Sequence, residues 1–130
     1  MIIDSSVIVA ILRREPEADA FGEAMDQAPI RRVSAVNYVE AAVIIDSRRD
    51  LIVSRAFDDL LRQSQTIIEA VTPEQAKLAR ETYSQYGKSR HRAGLNLGDC
   101  FAYALAKEKG EPLLFKGNDF RKTDVEVAEY

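Results

Sequence analysis

The chain has 130 residues, of which 46% are hydrophobic and 30% are charged. This length and composition suit one folded domain and exclude a disordered or fibrous protein. The formal net charge of −3 gives no overall attraction for nucleic acid, so such a role would need a local basic patch.

Strands and helices alternate in the predicted secondary structure. Strands are predicted, in chain order, at residues 2–3, 31–35, 66–71, 112–116 and, as an edge strand, 125–128. Helices are predicted at residues 5–13, 16–27, 35–48, 52–65, 73–86 and 98–109. The alternation predicts a single α/β domain over residues 1–130, with a short, mainly parallel sheet of about four or five strands and helices on both faces.

Several residues mark the predicted helix ends. Ser5 or Ser6 can cap the first helix, and Ser34 can cap the third. Thr72, which precedes a proline, marks the start of the fifth helix, and Gly110 ends the sixth. These signals support the element boundaries independently of hydrophobicity.

The sequence also bears on the cellular location. The longest apolar runs, at residues 7–12 and 41–45, are far shorter than the roughly 20 residues that span a bilayer. The opening residues MIIDSS lack the basic start and long apolar stretch of a secretory signal. Cys100 is the one cysteine, and we expect it to be buried as a small hydrophobic residue. We therefore expect a cytoplasmic protein without a membrane partner.

Three acids are placed where ligands gather in a parallel sheet. Asp4 follows the first strand directly, and Asp119 follows a later one. Asp99 is predicted in the first turn of the last helix, where the helix dipole stabilises a negative charge. Each of these also has a simpler interpretation, because Asp4 can cap a helix and acids are common at helix N-termini.

Glu40 is harder to explain by local structure. On the third helix it shares a face with Val36, Val43 and Ile44, so we expect it to point into apolar surroundings. An unpaired buried carboxylate is costly, and no partner is evident within a turn. The sequence therefore predicts that Glu40 meets a distant cation or a metal ion.

Carboxylates that converge at one edge of a sheet would repel one another without a counter-ion. An oxygen-only ligand set suits Mg²⁺ or Mn²⁺, and the sequence has no His/Cys cluster that indicates zinc. We therefore expect Asp99 to face Asp4 and Glu40 across a shared metal ion.

Three segments resemble a known family, namely MIIDSSVIVAIL, SAVNYVEAAVII and HRAGLNLGDCFAYALAKEKGEPLLFKGNDFRKTD. They are similar to the PIN-domain toxins of bacterial VapBC toxin–antitoxin modules, and the similarity covers essentially the whole chain. The resemblance implies an Mg²⁺- or Mn²⁺-dependent endoribonuclease that cuts cellular RNA such as tRNA or rRNA. It also implies inhibition by a cognate antitoxin of the VapB type and assembly as a homodimer.

The resemblance assigns roles by position. It implies that Asp4, Glu40 and Asp99 are the core metal-binding and catalytic acids, with Asp119 as the fourth. Ser6 and Asn96 match supporting positions around them. The acids would hold one or two Mg²⁺ ions, and Glu40 would accept a proton from a water molecule or orient that water.

The basic residues next to the predicted site have two interpretations. Lys88, Arg90, His91 and Arg92 form a short segment before Asp99, which is either a solvated loop or a contact for the RNA backbone. Lys116 would join them in attracting RNA.

Two other functions remain as alternatives. One is a catalytically silent PIN-like domain that only binds RNA or a protein partner, and the other is an Mg²⁺-binding receiver-type signalling domain. The receiver is less favoured because the strand at 66–71 offers only Glu69 as an acid, inside the strand. The third helix carries apolar residues on a second face, Tyr38 and Ile45, which indicates either an interface or a helix buried on two sides.

Overall fold

Four short strands form one parallel sheet in the computed structural model, which describes residues 1–130. The strands are β1 (Ile2–Ile3), β2 (Arg32–Ser34), β3 (Ile67–Glu69) and β4 (Leu113–Leu114). Their order is β3-β2-β1-β4, and each neighbouring pair is parallel. The predicted parallel sheet is confirmed.

Six α-helices connect or cover the strands. They are α1 (Ser5–Leu12), α2 (Ala18–Gln27), α3 (Ala35–Asp46), α4 (Leu51–Gln63), α5 (Pro73–Tyr86) and α6 (Leu97–Lys109). A short 3₁₀ helix follows at Phe120–Lys122. None of these helices combines the length and the hydrophobicity that crossing a bilayer requires.

The alternation of side chains along the strands builds two separate cores. Ile2 of β1 and Leu113 of β4 are buried on the face covered by α5 and α6. Their chain neighbours Ile3 and Leu114 are buried on the opposite face, among side chains of α1 to α4. Strands buried on both faces have no polar side to offer solvent, which is typical of a parallel sheet between helix layers. The predicted helices on both faces are confirmed.

The helix boundaries agree with most of the predicted signals. Ser34 caps α3 by accepting the Val36 N–H, and Thr72 caps α5 by accepting the Gln75 N–H. Gly110 ends α6 in the left-handed conformation, at φ 62°, which glycine adopts without steric cost. Asp4 caps α1, which confirms its simpler interpretation, and the caps expected at Ser5 or Ser6 were wrong.

Two predicted elements differ from the structure. Residues 125–128 form no strand; Leu113 makes one isolated parallel bridge to Val127, flanked by two backbone hydrogen bonds. Helix α2 begins at Ala18 instead of residue 16, because residues 13–17 form turns after α1, with Arg14 at φ 53°. This turn brings the loop between α1 and α2 close to β4, as described below.

The face of helix α3 that packs against the core is not its most hydrophobic one. Its buried residues are Asn37, Ala41 and Ile45, whereas Val39 and Val43 are 55% and 62% exposed. Tyr38 packs against Phe57 of α4 within the same chain. Ile45 therefore lies in the core and Tyr38 at its edge. The exposed apolar face of α3 is the one that carries Val39 and Val43.

Cys100 is fully buried in α6, which confirms its expected role as a core residue. Burial, together with the nearby Asp99 carboxylate, raises the pKa of the thiol to about 11. A thiol with so high a pKa is a poor nucleophile at neutral pH.

Candidate metal and active site

The carboxyl ends of β1 and β4 border a cavity of about 310 Å³ in which three of the predicted acids meet. Asp4 enters from the end of β1, Glu40 from α3 and Asp99 from the first turn of α6. Residues separated by nearly a hundred positions therefore share one small space. Asp4 and Glu40 follow β1 and β2, whose carboxyl ends lie at one edge of the parallel sheet. Helix α6 leads into the parallel strand β4, so it begins at the same edge and places Asp99 beside them.

Asp4 is held rigidly and is almost fully buried, with 3% of its surface exposed. Its Oδ2 accepts hydrogen bonds from the Ser6 N–H (3.1 Å) and from the Ser6 Oγ–H (2.6 Å). Its Oδ1 is buried without any hydrogen-bond donor. Burial raises the pKa of this carboxyl, and repulsion from Glu40 acts in the same direction. Asp4 thus has one buried oxygen without a partner, in surroundings that disfavour its charge.

Asp99 is fixed by a reciprocal pair of hydrogen bonds at the start of α6. Its N–H donates to Asn96 Oδ1 (2.8 Å), and its Oδ2 accepts the Asn96 N–H (3.0 Å). This capping box gives Asp99 a structural role. Even so, burial and repulsion from Asp4 raise the pKa of the Asp99 carboxyl to about 7, with Glu40 and Asp119 adding to the effect. The stabilisation expected from the helix N-terminus is outweighed.

Glu40 is only half-buried, and its surroundings differ from the expected apolar pocket. Its Oε1 accepts hydrogen bonds from Ser5 Oγ–H (2.8 Å) and from Asn37 Nδ2–H (3.0 Å). The prediction that no partner lies within a turn is wrong, because Asn37 is one turn earlier on α3. Asn37 also donates to the Gly98 carbonyl (3.0 Å), which ties the Glu40 carboxylate to α6.

Gly98 provides the space into which Glu40 fits. A Cβ atom at this position would lie 2.5 Å from the Glu40 carboxyl carbon, well inside van der Waals contact. The absence of a side chain at Gly98 therefore allows the Glu40 carboxylate to lie against the first turn of α6, next to Asp99.

The predicted supporting residues Ser6 and Asn96 line this cavity, whereas Asp119, the predicted fourth acid, does not. Asp119 is exposed just before the 3₁₀ helix, makes no side-chain hydrogen bond there, and raises the pKa of Asp99 slightly. Ser6 links Asp4 to the strand edge, because its Oγ also accepts the Lys116 N–H (3.0 Å). Asn96 caps α6 and holds Asp99. Ser6 therefore contacts Asp4, and Asn96 contacts Asp99.

The donor set fits a divalent cation that keeps some of its water. No three acidic side chains converge closely enough to enclose an ion by themselves. Asp4 Oδ1 nevertheless has no partner, and Asp99 lines the same cavity with a raised pKa. Mg²⁺ is usually held by one or two carboxylates plus water, and a cation there would relieve the repulsion between these acids.

The basic residues predicted to bind RNA fall into two groups. Lys88, Arg90 and Arg92 are exposed on the loop before α6 and form no ion pair. His91 is half-buried, accepts the Ala93 N–H at Nδ1 (3.0 Å) and contacts Tyr86 edge-on. Lys116 alone lines the acidic cavity. The loop therefore offers free positive charge, whereas His91 is engaged in holding the loop together.

Some residues of this site were missed by the sequence analysis. Asn37, Ser5 and Gly98 hold Glu40 in place, and Glu15 lines the cavity beside Lys116. The only available signal was the spacing of Asn37 and Glu40, three residues apart on one helix. The other contacts join distant segments and could not be read from spacing.

The raised pKa of Asp99 leads to a testable dependence of stability on pH in metal-free protein. Between the ordinary value of 3.8 and about 7, the folded protein retains a proton at Asp99 that the unfolded chain has released. As pH rises through this range, the free energy of unfolding loses a contribution on the order of 4 kcal/mol. We therefore expect Asp99→Asn to gain stability relative to wild type by that amount between pH 4 and pH 8.

Urea unfolding in EDTA across this pH range measures the effect. Asp58→Asn is the matched control, because Asp58 is an exposed acid that does not line the cavity. Parallel pH profiles for wild type and Asp99→Asn would contradict the raised pKa.

Comparisons of the sequence with a family model and with individual proteins point to the same family. The family model of the PIN domain matches residues 1–126. The chain is 50% identical over 129 residues to the VapC ribonuclease Mb0625 of Mycobacterium bovis, a match that covers 98% of this chain and 97% of the relative. It is also 50% identical over 125 residues to a ribonuclease VapC of Mycolicibacterium smegmatis, covering 96% of this chain and 97% of the relative.

Solved structures share the fold at low sequence identity. The crystal structure of Mycobacterium tuberculosis VapC20, a toxin that cleaves the sarcin–ricin loop, matches with a TM-score of 0.77 and 14% identity over 95% of each chain. A toxin–antitoxin complex from Klebsiella pneumoniae matches with a TM-score of 0.76 and 18% identity, covering 99% of this chain and 97% of the other.

Proposed function

This chain belongs to the PIN-domain family and, within it, to the VapC ribonucleases, and from that premise we propose a metal-dependent endoribonuclease centred on Asp4 and Asp99. The observation that carries the proposal is the unpaired, buried Oδ1 of Asp4 in the cavity shared with Asp99 and Glu40. We propose that the protein acts as the toxin of a type II toxin–antitoxin pair, on cellular RNA such as tRNA or rRNA in the cytoplasm.

Each side chain of the site has a defined task in this proposal. Asp4 and Asp99 would hold Mg²⁺ or Mn²⁺, which supplies charge stabilisation at the phosphate and lowers the pKa of water when bound. Glu40, whose Oε2 has no protein donor, would orient a water molecule or accept its proton. Ser6 and Asn96 keep the two aspartates in place. Asp119, which is exposed and near Asp99, would complete the outer ligand shell.

The loop before α6 is proposed to attract the RNA backbone. Lys88, Arg90 and Arg92 are exposed, form no ion pair, and lie a few residues before Asp99. Such cations bind phosphates without reading sequence and make the affinity depend on salt. If Arg90→Gln with Arg92→Gln leaves the salt dependence of RNA binding unchanged, this role is excluded.

The decisive experiment is cleavage of a mixed pool of cellular RNA, including tRNA and rRNA, by purified protein. We expect discrete fragments with Mg²⁺ or Mn²⁺ and intact RNA with EDTA, because the acids cannot stabilise a phosphate transition state without a cation. Melting of the same protein with Mn²⁺ should show a raised midpoint, because the ion binds the folded state. Intact RNA with every metal and an unchanged midpoint would favour the alternative of a silent binding domain.

An antitoxin partner and a homodimer are also part of the proposal. Their support in this chain is a set of exposed apolar side chains on α3, α4 and the start of α6, a feature typical of interaction surfaces. These side chains are Val39, Val43, Leu51, Ile52 and Leu97. Sedimentation equilibrium of the purified chain would test the dimer, and a mass equal to one chain at all concentrations would contradict it.

A further inference from the structure

Lys116 is the one cation among the side chains that line the acidic cavity. Its position is fixed by the backbone, because its N–H donates to Ser6 Oγ (3.0 Å) and Ser6 Oγ–H donates to Asp4 Oδ2 (2.6 Å). Asp4 and Lys116 therefore line the same cavity.

Two glutamates form ion pairs with the Lys116 ammonium group. Its Nζ lies 3.2 Å from Glu15 Oε2 and 3.2 Å from Glu17 Oε2. The contact with Glu15 is a hydrogen bond, whereas the contact with Glu17 lacks hydrogen-bond geometry and leaves Glu17 Oε2 buried without a donor. Both acids therefore compensate the charge of Lys116, Glu15 through a hydrogen bond and Glu17 through the ion pair.

The turn between α1 and α2 positions these acids. Arg14 adopts the left-handed conformation, and the Glu15 N–H donates to the Ala10 carbonyl (2.9 Å), which folds the chain back toward β4. The three charged side chains are each about a third exposed. Ion pairs with this much exposure contribute little to stability. Stability alone therefore does not explain why two acids pair with this one lysine.

We propose that Lys116 is a phosphate contact for RNA at the catalytic cavity, and that Glu15 and Glu17 pair with its ammonium group until an RNA phosphate displaces them. The inference rests on the proposed ribonuclease function. Two carboxylates around one ammonium group present oxygen acceptors where phosphate oxygens would bind. Glu15 and Glu17 then lower the affinity for any RNA that cannot place a phosphate at Lys116. The two acids would thereby help to determine which RNA molecules bind.

Binding of a fluorescein-labelled single-stranded RNA, followed by anisotropy in EDTA, tests the proposal without requiring cleavage. We expect Glu17→Gln to tighten binding about three- to fivefold. We expect Lys116→Gln to weaken binding about tenfold and to lower the slope of log affinity against log salt by about 1. In the Lys116→Gln background, Glu17→Gln should have no effect, because the acid acts through the lysine.

Two matched controls separate this effect from general electrostatics. Lys107→Gln removes a lysine of similar exposure that pairs with Asp124, and Glu129→Gln removes an acid that pairs with Arg121. Neither residue lines the cavity, so neither change should alter binding beyond about twofold.

Three outcomes would overturn the proposal. The first is equal binding by wild type and Lys116→Gln, including no binding by either. The second is an effect of Glu17→Gln that persists when Lys116 is absent, and the third is a lowered melting midpoint for Glu17→Gln without a change in affinity. Cleavage by wild type with Mn²⁺ is assayed separately, so a failed ribonuclease function is recognised independently of the binding result.

Discussion

Replacing Asp4 with asparagine is expected to lower RNA cleavage about a thousandfold while the fold is retained. The asparagine Oδ1 can accept the two hydrogen bonds that Ser6 now donates to Asp4. The amide group would then occupy the place of the unpaired oxygen, where it offers N–H donors in place of a cation ligand. The change thus removes metal binding without disturbing the cap of α1.

Three measurements together test this result. The cleavage rate in Mn²⁺ should fall, the far-UV spectrum should stay the same, and the shift of the melting midpoint by Mn²⁺ should disappear. Because burial raises the pKa of Asp4, the variant should be at least as stable as wild type in EDTA near neutral pH. Asp58→Asn is again the control that keeps full activity. Cleavage within tenfold of wild type in a preparation free of other nucleases would exclude Asp4 as a ligand of the catalytic metal.

Replacing Gly98 with alanine is expected to lower cleavage about a hundredfold with little change in stability. The added Cβ would overlap the Glu40 carboxylate, and the flexible end of that side chain would move away. Glu40 would then lose its hydrogen bonds from Ser5 and Asn37 and its place beside Asp99. The lost hydrogen bonds are offset in part by the higher helix propensity of alanine, by less than the roughly 1 kcal/mol of a helix interior because Gly98 lies in the first turn of α6.

A double-mutant comparison shows whether Gly98 acts through Glu40. In a Glu40→Ala background no carboxylate remains to be displaced, so Gly98→Ala should cause no further loss of activity. Gly22→Ala is the matched control, because Gly22 is also helical and nothing lies within 4 Å of a Cβ built there. Full activity of Gly98→Ala, or additive losses in the double variant, would show that the space at Gly98 does not determine the position of Glu40.

Local signals in the sequence were sufficient for most of the fold. Ser34 and Thr72 were identified as helix caps because a hydroxyl just before a helix satisfies free N–H groups at its start, whatever packs around it. The prediction of a strand at 125–128 was wrong because strand formation there depends on a neighbouring strand for pairing. Alternating valines there favour a strand, but only Leu113 of the short strand β4 makes a bridge to this segment.

The environment of Glu40 shows where local reasoning ends. Helix α3 is apolar on several sides, so the sequence does not specify which side faces the core. Packing against its neighbours buries Asn37, Ala41 and Ile45, and this choice leaves Glu40 half-exposed with hydrogen bonds from neutral groups. The distant cation expected beside Glu40 was therefore not needed to explain its position.

The sequence by itself determined the alternation of strands and helices, the position of Asp4 after a strand, and the position of Asp99 in a first helical turn. These follow from periodicity and capping, which act over a few neighbouring residues. Only the tertiary structure decided that Asp4 keeps one oxygen unpaired, that Glu40 lies against Gly98, and that Glu15 and Glu17 occupy Lys116. The contacts of Glu40 and Lys116 join segments far apart in the chain, and the burial of Asp4 likewise depends on how the helices pack on the sheet.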